Sequence, residues 1–267
     1  MPRASSRRSS SARRAPALRP IQLIPLLGLP EVEPGNDLAA VLCRTAKRGK
    51  LALRNGDILV VAQKIVSKAE GALADLAAIS PSPKASALAA KLHKDARFLE
   101  VVLQQSRRIV REEHVLIVET HHGFVCANAG VDHSNVPGAD TVTLLPADPD
   151  RSAGGLAQAL HKLTGKRVAV IISDTFGRPW RLGLTNVAIG AAGLPVLLDL
   201  RGGYDRTGKP LQATILAVAD ELAAAAGLVM GKAEGIPAVL IRGYRFDAEA
   251  KDRASSIIRS AQEDLFR

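Results

Sequence analysis

Two short segments place acids among small residues in a pattern that suits oxygen-ligated cations. The first runs Cys126-Ala127-Asn128-Ala129-Gly130-Val131-Asp132-His133-Ser134-Asn135, where Gly and Ala let the backbone approach a ligand and an acid lies three residues before an amide. The second, Asp174-Thr175-Phe176-Gly177-Arg178, directly follows the apolar run Val168–Ile172 with one intervening serine. A carboxylate beside a hydroxyl or amide suits Mg2+ or Mn2+, hard ions that complete their shell with water and substrate phosphates. Each segment also has a purely structural reading. Asp132 to Asn135 fits a turn, and Asp174 fits a helix cap.

Positive charge lies nearby in type if not in sequence. Gln63-Lys64-Ile65-Val66-Ser67-Lys68 follows another apolar run, and its two lysines suit either a triphosphate or a solvated edge. Arg178 and Arg181 flank Trp180 and have the donors to grip a carboxylate or phosphate. The familiar nucleotide loops are missing. Gly227 to Ala233 approaches a P-loop but is one residue short and lacks the final hydroxyl, and no GxGxxG follows a strand. His121, His122 and His133 lack zinc spacing, and Cys43 and Cys126 form no CxxC pair. Cys126, between Val125 and Ala127, reads as a small buried hydrophobe.

The elements that must position these groups follow from periodicity and turn signals. Ile21–Leu27 is a short apolar run leading into a turn-rich loop around Gly28, Pro30, Pro34 and Gly35. A helix is predicted from Asp37 to about Arg48, strands at Ile58–Ala62 and Val168–Ile172, and one or two helices over 84–108. Val115–Glu119 and Gly123–Ala127 read as strands joined at His121-His122. A helix over 214–230 closed by Gly231, a strand at Pro237–Ile241 and an amphipathic helix over 247–266 complete the pattern. Strands and helices mix without clean alternation, so the fold class expected is α/β (α+β), with mixed sheets rather than a doubly wound one.

Composition narrows the function classes. The 267 residues are 47% hydrophobic, enough for a sizeable core, and only 3% aromatic, which argues against a stacking platform for single-stranded nucleic acid. No apolar run approaches the roughly 18 residues of a membrane span. The formal charge of +10 suggests a polyanion partner until it is located: six arginines and no acid lie within residues 1–19. Residues 1–20 are therefore expected to be a disordered basic tail, ahead of a single domain over 21–267. A reducing, cytoplasmic setting is expected, with neither nucleic acid nor membrane as partner. A basic nucleic-acid-binding protein is the weaker alternative.

At these residues the sequence resembles the coenzyme F420-0:L-glutamate ligase family, over nearly all of 21–245. The resemblance is carried by GLPEVEPGNDLA (28–39), NGDILVVAQKIVSKAEG (55–71), GFVCANAGVDHSNV (123–136), ISDTFGRPWR (172–181) and ADELAAAAGLVMGKAEGIPAVLIRG (219–243). It implies a GTP-dependent amide ligase joining L-glutamate to the carboxylate of coenzyme F420-0 through an acyl phosphate, with further γ-linked additions. It also implies Mg2+ or Mn2+, with K+ as a further candidate ion, and an intertwined homodimer with a family-specific fold.

Carried over residue by residue, the resemblance assigns the nucleotide to Leu29, Pro30, Glu31 and Val32, to Gln63, Lys64 and Lys68, to Asn135, and to Met230, Gly231, Lys232, Ala233, Glu234, Gly235 and Ile236. It assigns the metal to Asp132, Asp174 and Thr175. Some members have an acidic ligand where this chain has Lys232, leaving Glu234 or water for that role. Many relatives continue into a flavin-binding domain, which this chain is expected to lack. An amide ligase for another acid is the nearest competing expectation.

Overall fold

The apolar runs of the sequence become neighbours in one sheet. The computed structural model describes residues 20–134 and 138–264, so the expectations for the basic tail and for Asn135 fall outside the described residues. Five strands lie in the order β1 (Gln22–Pro25), β12 (Ala238–Arg242), β2 (Ile58–Ala62), β8 (Ala169–Arg178) and β9 (Arg181–Ala192). β2 and β8 are parallel, with Ala62 opposite Ser173, and the other pairs are antiparallel. β1 and β2 therefore end at the same edge, where β12 begins and where β8 reaches Ser173.

Successive residues of a strand face opposite sides, which splits the core in two. Leu59, Val61, Val170 and Ile172 pack with α1 (Leu38–Arg48), α2 (Gln63–Ala69) and α5 (Pro149–Thr164). Ile58, Val60, Ala169 and Ile171 pack with α6 (Val218–Met230). With both faces covered, β2 and β8 must be apolar at every position, which is why they read as unbroken runs. Each fully buried Leu, Ile or Val contributes about 1.5–3 kcal/mol of transfer free energy.

A third core lies beside the sheet. The antiparallel strands β4 (Ser106–Glu113), β5 (Val115–Thr120) and β6 (Val125–Ala127) support α3 (Pro83–Leu92) and α4 (Ala96–Gln104) through Leu88, Phe98, Leu99, Leu116 and Val118. Two small pairs, β3 (Leu73–Asp75) with β7 (Thr141–Thr143) and β10 (Leu198–Asp199) with β11 (Ile215–Leu216), complete the architecture. The mixed α/β class expected from the sequence is the one observed.

Local signals explain the helix starts. Asp37 caps α1 by accepting from the Ala40 amide at 3.0 Å, and Ser82 caps α3 ahead of Pro83 in its first turn. Three expectations need correction. The one or two helices expected over 84–108 form as two, divided at Asp95, but the last of these residues begin β4 instead. The 214–230 helix starts only at Val218, because Ile215 and Leu216 pair with β10. Among the described residues the helix expected over 247–266 is not formed. A 3-10 turn at Ala254–Ile257 stands in an otherwise irregular segment. The reason is tertiary: buried Asp150 accepts from the Ala254 amide at 2.7 Å and from the Ser255 amide and Arg253 Nε at 3.3 Å, holding the segment against the sheet instead of coiling it.

Candidate active site

Four segments distant in sequence meet at the edge where β1 and β2 end. The Ala62 amide donates to the Pro237 carbonyl at 2.8 Å, and the Leu26 amide to the Ala238 carbonyl at 3.0 Å. These bonds set the loop after β1 and the loop after α6 beside the first turn of α2. Register with β2 puts Ser173, Asp174 and Thr175 at the same edge. Open ends of this kind are where strand-borne side chains reach a ligand.

Asp132 arrives from the other core. Its backbone pairs with Thr143 in both directions, at 2.9 and 3.2 Å, and the preceding residues are tightly turned. Asn128 (φ 51°), Ala129 (φ 55°) and Gly130 (φ 71°) are all left-handed. A Cβ on Gly130 would lie 2.7 Å from Leu145 Cδ2, so this position requires glycine on two grounds. Non-glycine residues in this conformation store strain, which clusters at functional sites.

The side chains then form a mixed-charge array. Lys64 Nζ lies 2.6 Å from Asp132 Oδ2 and also contacts Ser134, whose amide donates to Asp132 Oδ1 at 2.8 Å. Burial pulls the Asp132 pKa up, but Lys64 and Ser134 outweigh it and hold the carboxyl below its ordinary value. Asp174 has no such direct ion pair among the described residues. Burial pushes its pKa up to about 6; the Thr175 amide and the charges of Lys64 and Lys232 offset part of that, while Asp132 adds to the rise. The contacts agree: Lys64 reaches Asp132, and Lys232 reaches Thr175 beside Asp174.

Thr175 is tied in from two sides. Lys232 Nζ lies 2.6 Å from its Oγ1, which donates to Asn186 Oδ1 at 3.1 Å. Asn186 in turn reaches the Met230 sulfur at 3.6 Å. The Asn186 contribution was not read from the sequence; its signal is register alone, since it lies opposite Thr175 across the β8–β9 pair.

The other expected positions line the same edge. Val32 is buried and Leu29 packs on the core, so Pro30 and Glu31 are held exposed between them. Glu31 pairs with Lys68, whose side chain is only 7% exposed. Gln63 is buried and its Nε2 has no partner, as is Ser173 Oγ beside it. Met230 ends α6, Gly231 turns the chain at φ 58°, and Ile236 packs partly on the core. Glu234 folds back to accept from the Lys232 and Ala233 amides at 2.7 and 2.9 Å. It serves its own loop, which leaves Lys232, not an acid, as the residue reaching Thr175.

Arg178, Trp180 and Arg181 are not part of this array. They form the tip of the β8–β9 hairpin, with Arg178 four residues beyond Asp174, roughly 13 Å along the strand. Arg178 is spent on the Leu182 carbonyl at 2.7 Å, and Trp180 is 78% exposed. Cys126 is buried, and burial with the nearby Asp174 charge pushes its thiol up to about 12, which removes it as a nucleophile.

The donor set fits a hard divalent ion. Two carboxylates and a hydroxyl are all oxygen donors, and ammonium groups already stand against Asp132 and Thr175 as cations. Among the described residues no three His, Cys, Asp or Glu side chains group as a metal cage. A site of this kind leaves part of the shell to water and phosphate, as Mg2+ and Mn2+ sites with nucleotides do. The unpartnered Gln63 amide and Ser173 hydroxyl likewise fit a polar ligand at this edge.

Comparison with known proteins decides the family. The model of the family described as F420-0:Gamma-glutamyl ligase matches residues 27–243. This chain belongs to the F420-0:gamma-glutamyl ligase family. Relatives named coenzyme F420:L-glutamate ligase include that of Methanothermobacter thermautotrophicus, 48% identical over 92% of this chain and 99% of the relative. Another, from Methanopyrus kandleri, is 49% identical over 94% of this chain and 98% of the relative. That of Methanocaldococcus jannaschii is 45% identical over 80% of this chain and 86% of the relative. The family match spans every segment of the site, from Leu29 to Ile236. Among the described residues no helix is long and apolar enough to cross a membrane.

Proposed function

We propose that this member of the F420-0:gamma-glutamyl ligase family joins L-glutamate to the carboxylate of coenzyme F420-0, with GTP as the energy source. The observation that carries the reading is that Lys64 pairs with Asp132 and Lys232 reaches Thr175, the neighbour of Asp174, at one edge of the sheet. A site for amide formation from a free acid must handle polyphosphate charge, because a carboxylate is a poor electrophile until it is phosphorylated. Lys64 and Lys232 supply positive charge for phosphate oxygens, and Gln63 and the Leu29–Val32 and Met230–Ile236 loops bound the space for the nucleotide. Asp132, Asp174 and Thr175 would hold Mg2+ or Mn2+, which when bound screens the phosphate charge during transfer.

The chemistry balances in two steps. A carboxylate oxygen of F420-0 attacks the γ-phosphorus and GDP leaves, giving an acyl phosphate. The glutamate amine, having lost a proton to solvent, attacks the acyl carbon, and inorganic phosphate departs. Repetition on the γ-carboxylate of the attached residue would lengthen the chain. A homodimer in the cytoplasm, with K+ as an additional ion, completes the proposal.

The test incubates the purified protein with F420-0, L-glutamate, GTP and MnCl2, and weighs the deazaflavin product. Glutamate-sized mass additions that require GTP are expected. No addition, from protein that demonstrably binds GTP, would move the assignment to an amide ligase for another acid.

A further inference from the structure

Lys94 presents an ammonium group against the turn that leads to Asp132, with no carboxylate paired to it among the described residues. It follows α3, half-buried, with Nζ 3.2 Å from Asn128 Oδ1 and 5.7 Å from the centre of the Phe98 ring. Other cations of the two cores are already engaged: Lys64 with Asp132, Lys68 with Glu31, Lys91 with Glu112, Arg97 with Asp95 and Asp140, and Lys232 with the Thr175 hydroxyl. Among the described residues Lys94 forms no such pair, and burial lowers its pKa. An ammonium has three donors, and only one is engaged by Asn128.

Its surroundings reinforce the point. Because a lysine can only donate, it orients the Asn128 side chain with the carbonyl toward itself and turns the amide NH2 outward. Asn128 is one of the left-handed residues that lead to Asp132, so it is held in a strained conformation where it can meet a ligand. Phe98 carries the connection further. His133, the residue after Asp132, stacks on it with ring centres 5.0 Å apart. Lys94 and Asn128 thus bring nitrogen donors to the turn that leads to Asp132.

We propose that Lys94 and the Asn128 amide seat a carboxylate of the incoming amino acid, making Lys94 the residue that selects glutamate among amines. The inference rests on the ligase reading above. Glutamate keeps two ionised carboxylates throughout the ligation, and each needs a counter-charge distinct from the lysines committed to Asp132, Thr175 and Glu31. An ammonium–carboxylate contact in a half-buried setting is short, charge-assisted and selective.

The experiment compares wild type, Lys94→Met, Lys94→Arg and the control Lys91→Met, whose ammonium already pairs with Glu112. Steady-state kinetics with F420-0 and Mn2+ would vary glutamate and GTP separately, and calorimetry would measure glutamate binding to the Mn2+- and GTP-analogue-loaded protein. Lys94→Met is expected to raise the glutamate KM and dissociation constant about 10–100-fold with GTP KM unchanged, Lys94→Arg to recover part of it, and Lys91→Met to change neither. Wild type should also discriminate against whichever of glutamine and glutamate α-amide lacks the seated carboxylate, and Lys94→Met should lose that discrimination. Active wild type with an unchanged glutamate KM in Lys94→Met, or equal rises in both KM values, overturns the inference and leaves the ligase reading standing. Wild type that neither turns over nor binds glutamate overturns both.

Discussion

Lys64 Nζ lies 2.6 Å from Asp132 Oδ2, which joins the first turn of α2 on the main sheet to a strained loop of the neighbouring core. This contact ties the cation proposed to face phosphate to an acid of the proposed metal site. It also means that the acid is already balanced before any divalent ion arrives. Under the proposed function, an incoming cation would displace or share that ammonium.

Loss of either acid should therefore stop turnover without unfolding the chain. Asp132→Asn and Asp174→Asn are each expected to lower kcat/KM by about 100-fold or more, the scale of removing a principal electrostatic stabiliser. Circular dichroism should match wild type. A double variant with normal activity at saturating GTP would sink the metal assignment.

The elevated pKa of Asp174 makes a second, opposite prediction about stability. Its folded value of about 6 lies above the ordinary carboxylate value, so its contribution is favourable below about pH 4 and is lost as pH rises through about 6. Above that range the metal-free protein carries a recessed, ionised acid. Asp174→Asn should raise the metal-free Tm at pH 8, by about 2–4 °C for each kcal/mol relieved, and the gain should shrink toward pH 4. Calorimetric scans of both proteins, with and without Mn2+, would check this; added Mn2+ should stabilise wild type far more. An equal Tm difference at both pH values would count against the account.

Lys232 reaches Thr175 from an exposed loop, so its removal should spare the fold. Lys232→Met is expected to raise the GTP KM about tenfold, the loss of one charged hydrogen bond, while glutamate KM stays near wild type. Unchanged nucleotide affinity by equilibrium titration would remove Lys232 from the phosphate site.

Asp150 has a large place in stability. Its buried carboxylate accepts from the Ala191 amide at 2.9 Å as well as from the C-terminal segment. Asp150→Ala should destabilise by about 3 kcal/mol, because several buried donors lose their acceptor together. Urea unfolding would report the loss, and limited proteolysis should cut first near Arg253. A shift below about 0.5 kcal/mol would show that this segment is held by other contacts.

What the sequence determined by itself is the local and the chemical. β-branched runs at Ile58–Ala62 and Val168–Ile172 could bury themselves only as central strands, and Asp37 and Ser82 carry their cap signals in their own side chains. The acids, the lysines and the family blocks were likewise legible as residue types in order. α5 was not, because Gly154 and Gly155 weaken its helical signal by roughly 1 kcal/mol each, and it is Ala153, Leu156 and Leu160 packing on the sheet that hold it. Nor was the irregular C-terminal segment, whose amphipathic spacing yields to hydrogen bonds from Asp150. Only the tertiary structure decided that Asp132 and Asp174 share one site, that Asn186 orients Thr175, and that Lys94 pairs with no acid among the described residues. Those relationships depend on strand register and on the packing of one core against another, and no spacing along the chain encodes them.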